Sequence, residues 1–373
     1  MKYYITSRKF KHNLDPIFTA GEIATAAVGC NVAIVDEGSG PEDLSNVPKV
    51  IYFEPEVLPF ARDWATQLDG IVKRFNLQPN QLYFIFGGHE LGIDGKIIPC
   101  PAGPDRMFLF NYFFHQVVKH NDLSDINFDY TAPKTKMFDC LFGGRKPHRI
   151  FIYNRLIESG LLDKSVVNLN EGSHWEKNYC DETHHLHLMQ GPGYASGGDL
   201  PVYSSPELKD WEVPDVAAFK DSNNNNFYSA EYLPGKNIQV SALVPKAVYN
   251  NSYYSIVAET GFEKSLFMSE KIAKPIFAKR VFVLFGSQGL LQHLKDQGFK
   301  TFSDVIDESY DLEEDNFVRF SKAWEQCLKL SEMNPTDVYN KLHDVLTHNQ
   351  QLILDQSKFL VDLKNFIAEV GTR

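Results

Sequence analysis

Two apolar runs, each ending in a pair of glycines, constrain this chain most. Gln81–Phe86 stops at Gly87-Gly88, and Met137–Phe142 stops at Gly143-Gly144. Each sits in a stretch where short apolar runs alternate with segments of helical spacing. That rhythm predicts strands laid parallel and covered by helices. In the first stretch, strands are expected at Lys2–Ser7, Asn31–Asp36, Lys49–Phe53 and Gln81–Phe86. Helices are expected at Gly21–Val28, which is Ala-rich, at Phe60–Phe75, and at the aromatic Arg106–Lys119. The polar segment Asn121–Lys136 then reads as a linker.

After it the rhythm restarts. Met137–Phe142, Ser165–Leu169, Tyr253–Ala258 and Val281–Phe285 read as strands. His148–Ser159, closed by Gly160, Ser265–Lys279 and Gln288–Gln297, closed by Gly298, read as helices. The tract 170–226 breaks the pattern with Gly191-Pro192-Gly193, Gly197-Gly198 and Asn223–Asn226. A long irregular tract is usually a functional loop or an insertion. Phe317–Leu330 and Thr336–Ile367 carry apolar residues at three- and four-residue spacing, so the end of the chain is expected to be helical. The organisation expected is an α/β domain over 1–128, a second over 129–315 with the insertion 170–226, and a helical tail over 316–373 packing back on the first. The fold class expected is α/β, with two Rossmann-like domains facing a cleft.

The 373 residues suffice for two cored domains without a disulfide staple. Five cysteines, at 30, 100, 140, 180 and 327, include no CxxC pair, which fits neither a zinc site nor a disulfide framework. No run approaches the roughly 18 apolar residues of a membrane span. The start of the chain has no apolar signal core, so a cytoplasmic location is expected (the host cytoplasm if the chain is virus-encoded). The net charge of −11 argues against a general polyanion-binding coat.

Against that acidity, Gly143-Gly144-Arg145-Lys146-Pro147-His148-Arg149 packs three cations between a strand and a helix. A helix N-terminus favours anions, and Arg145, Lys146 and Arg149 reinforce it, so a phosphate or diphosphate is the natural ligand. A solvated basic turn accounts for the same residues equally well. Neither the P-loop nor the GxGxxG pattern is present. A second cluster follows the strand Tyr253–Ala258. Glu259-Thr260 end it, and Ser269-Glu270-Lys271 open the next helix. Ser269 can cap that helix with Glu270 favourably placed against its dipole. A carboxylate there can also hold ribose hydroxyls, with Lys271 beside a phosphate.

This segment resembles the donor-binding region of α-1,3-fucosyltransferases: an apolar strand ending in Glu, a loop, Thr/Ser-Glu-Lys opening a helix, then an apolar strand and a Gly, here Gly286. Exostosin-like transferases are similar in arrangement. The resemblance covers Tyr253–Gly286, with Gly144–Arg149 as a second part. It implies two Rossmann-like domains of the GT-B type and a nucleotide-diphospho-sugar donor on the second. By it, Glu270 faces the ribose, Arg145 and Lys271 the diphosphate, and Lys146, Arg149, Glu259 and Ser269 complete the donor site. Glu259 is followed by Thr where the family pattern has Asn-Ser, and Lys279-Arg280-Val281-Phe282 replaces the usual entry to the strand.

An inverting transferase needs a base for the acceptor hydroxyl. Glu90 is the first candidate, flanked by glycines in Gly87-Gly88-His89-Glu90, with Glu56 and His89 competing. Asp181-Glu182-Thr183-His184-His185-Leu186-His187 invites a metal, yet lacks the HExxH or Cys-rich spacings and reads more readily as an exposed loop. No DxD-like pair follows an apolar strand, so neither a metal nor a cofactor is expected. The function expected is transfer of a sugar from a nucleotide-diphospho-sugar to a glycan, a protein or a hydroxymethylated base in DNA. The alternatives are a non-catalytic nucleotide- or sugar-binding module, and a phosphohydrolase using the His-rich loop.

Overall fold

The computed structural model describes residues 1–7, 10, 17–36, 38–40, 42–54, 68–90, 104–124, 126–130, 132–170, 203–209, 242–263 and 265–373. These form two compact units. The first joins Met1–His115, Lys264–Met268 and Asp355–Arg373; the second joins Gln116–Glu263 and Ser269–Leu354. The division therefore falls at His115/Gln116, inside a helix, instead of at 128. Asn121–Lys136, expected as a linker, belongs to the second unit, where Asn121 donates to the Ala242 carbonyl at 2.9 Å.

The first unit holds a parallel sheet of β1 (Tyr3–Ile5), β2 (Ile23–Ala24), β3 (Val32–Val35), β4 (Lys49–Glu54), β5 (Leu82–Phe86) and β7 (Met107–Leu109), in the order β2-β1-β3-β4-β5-β7. Alternate residues of each strand feed opposite cores. Val32, Ile34, Ile51, Phe53, Tyr83 and Ile85 share one, while Ala33, Val35, Val50, Tyr52, Leu82 and Phe84 share the other. A strand buried on both faces is what a parallel sheet requires. Helix α1 (Tyr112–His120) follows β7. The last helix, α8 (Gln356–Thr372), sends Leu363, Ile367 and Val370 into the first of these cores. A small antiparallel pair, β6 (Gly88–Glu90) with β12 (Ser265–Phe267), completes the unit.

The second unit has a five-stranded sheet. Its strands are β8 (Lys136–Gly144), β9 (Ser165–Asn170), β10 (Tyr203–Ser204), β11 (Ser252–Ala258) and β13 (Phe282–Phe285), in the order β10-β9-β8-β11-β13. All its pairings are parallel except that of the edge strand β10. Its helices are α2 (Pro147–Glu158), α3 (Lys246–Asn251), α4 (Glu270–Phe277), α5 (Leu290–Asp296), α6 (Asn316–Glu332) and α7 (Pro335–Leu354). Two Rossmann-like parallel sheets and a helical C-terminal region are thus the fold. Among the described residues no helix is long and apolar enough to cross a membrane.

Four local expectations are corrected. Gly21–Val28 is not a helix: only Ile23–Ala24 pair, as an edge strand beside β1, and turns fill the rest. Arg106–Lys119 divides into β7 and α1, because Met107–Leu109 have a strand partner in β5. Ser265–Lys279 divides likewise, into β12 and then α4. The long run Thr336–Ile367 breaks at Asp355, the N-cap of α8, where the chain passes from the second unit to the first.

Candidate functional site

In an open α/β sheet, ligands bind beyond the carboxyl ends of the strands where the strand order reverses. In the second unit that point lies between β8 and β11, since the chain runs from β8 outward to β9 and then returns to β11 on the other side. The basic turn follows one of these strands and Glu259-Thr260 follows the other.

The turn is built by glycine. Gly143 has φ of +70°, a conformation that side chains disfavour, and the pairing of β8 with β9 shifts register between Leu141 and Gly143. Arg145 follows, buried to 6% exposure. Lys146 is the N-cap of α2 in extended conformation and supplies no side-chain cap, and Pro147 opens the helix.

The two residues after β11 tie the starts of α2 and α4 together. From the α2 side, Lys146 Nζ donates to the Thr260 carbonyl at 2.8 Å. His148 Nε2 donates to the Glu259 carbonyl at 2.8 Å, and Arg149 reaches the same oxygen at 3.5 Å while donating to the Gly144 carbonyl at 2.8 Å. His148 is fully buried with its ring 4.6 Å from that of Phe262. Burial, with Arg149 next to it, holds His148 well below the usual imidazole range, so the ring is neutral and its proton sits on Nε2. From the α4 side, the Glu259 carboxylate accepts from Ser269 N at 3.0 Å, Ser269 Oγ at 2.5 Å and Thr260 N at 3.0 Å. Ser269 caps α4, accepting from Lys271 N at 3.2 Å. Lys271 Nζ bonds Thr260 Oγ1 at 3.3 Å and Glu270 Oε1 at 2.6 Å.

Glu259 and Glu270 therefore have different work. Glu259 has no exposed surface, and burial raises it against the pull of Lys271 and Ser269. Its carboxylate is a strut for the cap. Glu270, at 6% exposure, opens the helix. Burial pushes it upward, but Lys271 and Lys274 outweigh burial and hold it below the usual carboxylate range. Two nearby carboxylates with opposite shifts mark a functional-site candidate. Glu259→Gln is expected to cost about 1–3 kcal/mol, because an amide nitrogen must face an N–H donor that the carboxylate now satisfies. Chemical denaturation of the variant against the parent measures it.

Sequence reading missed three residues that shape the surroundings. Arg319 of α6 donates to the Gly286 carbonyl at 3.1 Å and the Phe262 carbonyl at 2.9 Å, fixing the loops after β13 and β11. Asp311 accepts from Leu291 N at 3.1 Å and Gln292 N at 3.2 Å. It thereby caps α5, so that helix start already carries a carboxylate of the chain's own. Lys274 lies one turn along α4 from Glu270. No local pattern announces these contacts; only the i, i+4 spacing of Glu270 and Lys274 was visible. At Gly286 an added Cβ would lie 2.6 Å from Leu290 Cδ2, so a side chain there would push the Leu290 tip aside.

The structure thus brings together Lys146, Arg149, Glu259, Ser269, Glu270 and Lys271 in the second unit, with Arg145 preceding Lys146. His89 and Glu90 belong to the first unit, in β6, whose backbone pairs with β12. Glu56 and the His-rich tract 181–187 lie outside the described residues. Among the described residues no group of three or more His, Cys, Asp or Glu is placed to hold a metal.

No family model matches the chain, and no curated protein matches it. A solved structure described as "Crystal Structure of alpha1,3-Fucosyltransferase" is similar over 94% of this chain and 90% of that chain, at 11% identity and a TM-score of 0.38.

Proposed function

We propose that the chain is a glycosyltransferase whose nucleotide-diphospho-sugar donor binds at the switch point of the second sheet. One observation carries the reading: at that point Glu259-Thr260 join the starts of α2 and α4, with Arg145 and Lys146 on one side and Glu270 and Lys271 on the other. An ionised, nearly buried Glu270 suits the two hydroxyls of a ribose. Arg145, Arg149 and Lys271 suit a diphosphate and neutralise the charge that grows on it as the nucleotide leaves. In this reading transfer is inverting and metal-independent, and Glu90, Glu56 or His89 takes the acceptor's proton. The acceptor is a glycan, a protein or a hydroxymethylated base in DNA.

A thermal-shift screen with UDP-, GDP- and CMP-sugars, followed by assay of released nucleotide, tests this. A transferase is expected to be stabilised by one class and to release its nucleotide, by slow hydrolysis even without acceptor. Tight binding with no release from any donor would make the chain a binding module. Activity lost to a chelator would sink the metal-independent reading.

A further inference from the structure

Thr260 is uncharged and half-buried, yet ammonium groups from two helix starts meet on it. Its carbonyl accepts from Lys146 Nζ, at the N-cap of α2, at 2.8 Å. Its hydroxyl accepts from Lys271 Nζ of α4 at 3.3 Å. Gathering like charges on one neutral residue is unfavourable unless anions lie beside them. A diphosphate is such an anion, with oxygens enough for both.

The backbone of Thr260 has little room to move. Its N–H donates to Glu259 Oε2 at 3.0 Å, and the carbonyl before it is held by His148 at 2.8 Å. The hydroxyl is therefore a fixed point, whereas the lysine that reaches it is a long, flexible stem. Lys271 has three N–H groups to place. Glu270, at 2.6 Å, and Thr260 take two of them, and no described residue takes the third. The Lys271 side chain keeps 18% of its surface exposed against 8% for Glu270, so the third N–H can face a ligand.

We propose that Thr260 is a positioning residue for the donor's diphosphate: its hydroxyl fixes the Lys271 ammonium beside the Lys146 ammonium that its carbonyl holds. The inference rests on the donor-site reading above and adds to it a residue that acts through Lys271. With Glu270 as its only anchor, Lys271 would swing about that carboxylate and lose this freedom anew on meeting a phosphate. The carbonyl contact to Lys146 does not depend on the side chain at 260. Removing the hydroxyl thus acts on Lys271 alone, and within the ligand on the phosphates alone.

The test uses Thr260→Val, which keeps the branched shape without the hydroxyl, and Thr260→Ser, which keeps the hydroxyl. Lys271→Met and the double variant with Thr260→Val complete a cycle. Kd is read by calorimetry for GDP and UDP and by ligand NMR for guanosine and uridine, with a melting curve for each variant. Thr260→Val is expected to bind the preferred diphosphate about 5-fold more weakly, the worth of one hydrogen bond, and its nucleoside like the parent. Thr260→Ser should restore parent-like binding. In the Lys271→Met background, Thr260→Val should change nothing. Should Thr260→Val melt well below the parent, Thr260→Ala is read in its place. Parent-like diphosphate binding by Thr260→Val, an equal loss for the nucleoside, no rescue by Thr260→Ser, or a full effect in the Lys271→Met background overturns the proposal and leaves the donor site standing. A parent that binds neither diphosphate overturns the donor-site reading, and the proposal with it.

Discussion

Replacing Arg280 with Met is expected to destabilise the second unit by about 3–5 kcal/mol, the cost of leaving a buried charge without its partner. Arg280 is 1% exposed, and all five of its N–H groups are used. Nε donates to Ser255 Oγ at 3.2 Å, Nη1 to the Tyr249 and Ser252 carbonyls at 2.9 and 2.8 Å, and Nη2 to Asp139 Oδ2 and Ser252 Oγ at 2.9 Å each. Without it, Asp139, which burial already pushes upward, keeps only hydroxyl donors and a neighbouring lysine. The melting transition should fall on the order of 10 °C. Pairing Arg280→Met with Asp139→Leu should recover much of the loss, because the double variant strands neither charge. A double variant as unstable as the sum of the two singles would show that the pair does not act as a unit.

The second large effect is on binding. If the donor binds as proposed, Glu270→Ala is expected to weaken GDP or UDP by about 100-fold or more, since the two charge-assisted hydrogen bonds it would make to the ribose, at roughly 1.5–3 kcal/mol each, are lost. Arg145→Ala should do comparable harm through the diphosphate. Neither should unfold the chain. The Ser269 cap and the Glu259 strut remain in the first variant, and the glycine turn and Pro147 remain in the second. Calorimetry with both nucleotides, beside a melting curve for each variant, measures this. If both variants bind like the parent, the proposed donor site is wrong.

These two expectations differ in how far the sequence announced them. Glu270 was legible because its signals are local: an apolar strand, a loop, then Ser-Glu-Lys at a helix start. The basic turn was legible for the same reason. Arg280 was visible only as an oddity at the entry to β13, because its partner Asp139 is 141 residues away. The same distinction runs through the fold. Strands buried on both faces declared themselves, since an apolar run between turn residues has few other uses. Ile23–Ala24 did not, because alanines favour helix wherever no strand lies alongside, and here β1 does. Ser265–Phe267 was absorbed into the following helix, as its partner β6 is remote in sequence. The break at Asp355 interrupts an apolar spacing that continues across it, so nothing periodic marks it.

That break has a bearing on how the chain is made. The first unit takes its final covering helix from residues 356–372 and a strand from 265–267. During synthesis, Leu363, Ile367 and Val370 emerge only after every segment of the second unit. Until then one side of the N-terminal sheet is incompletely covered. A nascent chain should therefore complete its second unit before its first. A fragment ending near residue 120 should be a poor candidate for isolated expression, and removal of residues 355–373 should harm the first unit more than the second, which it follows in sequence.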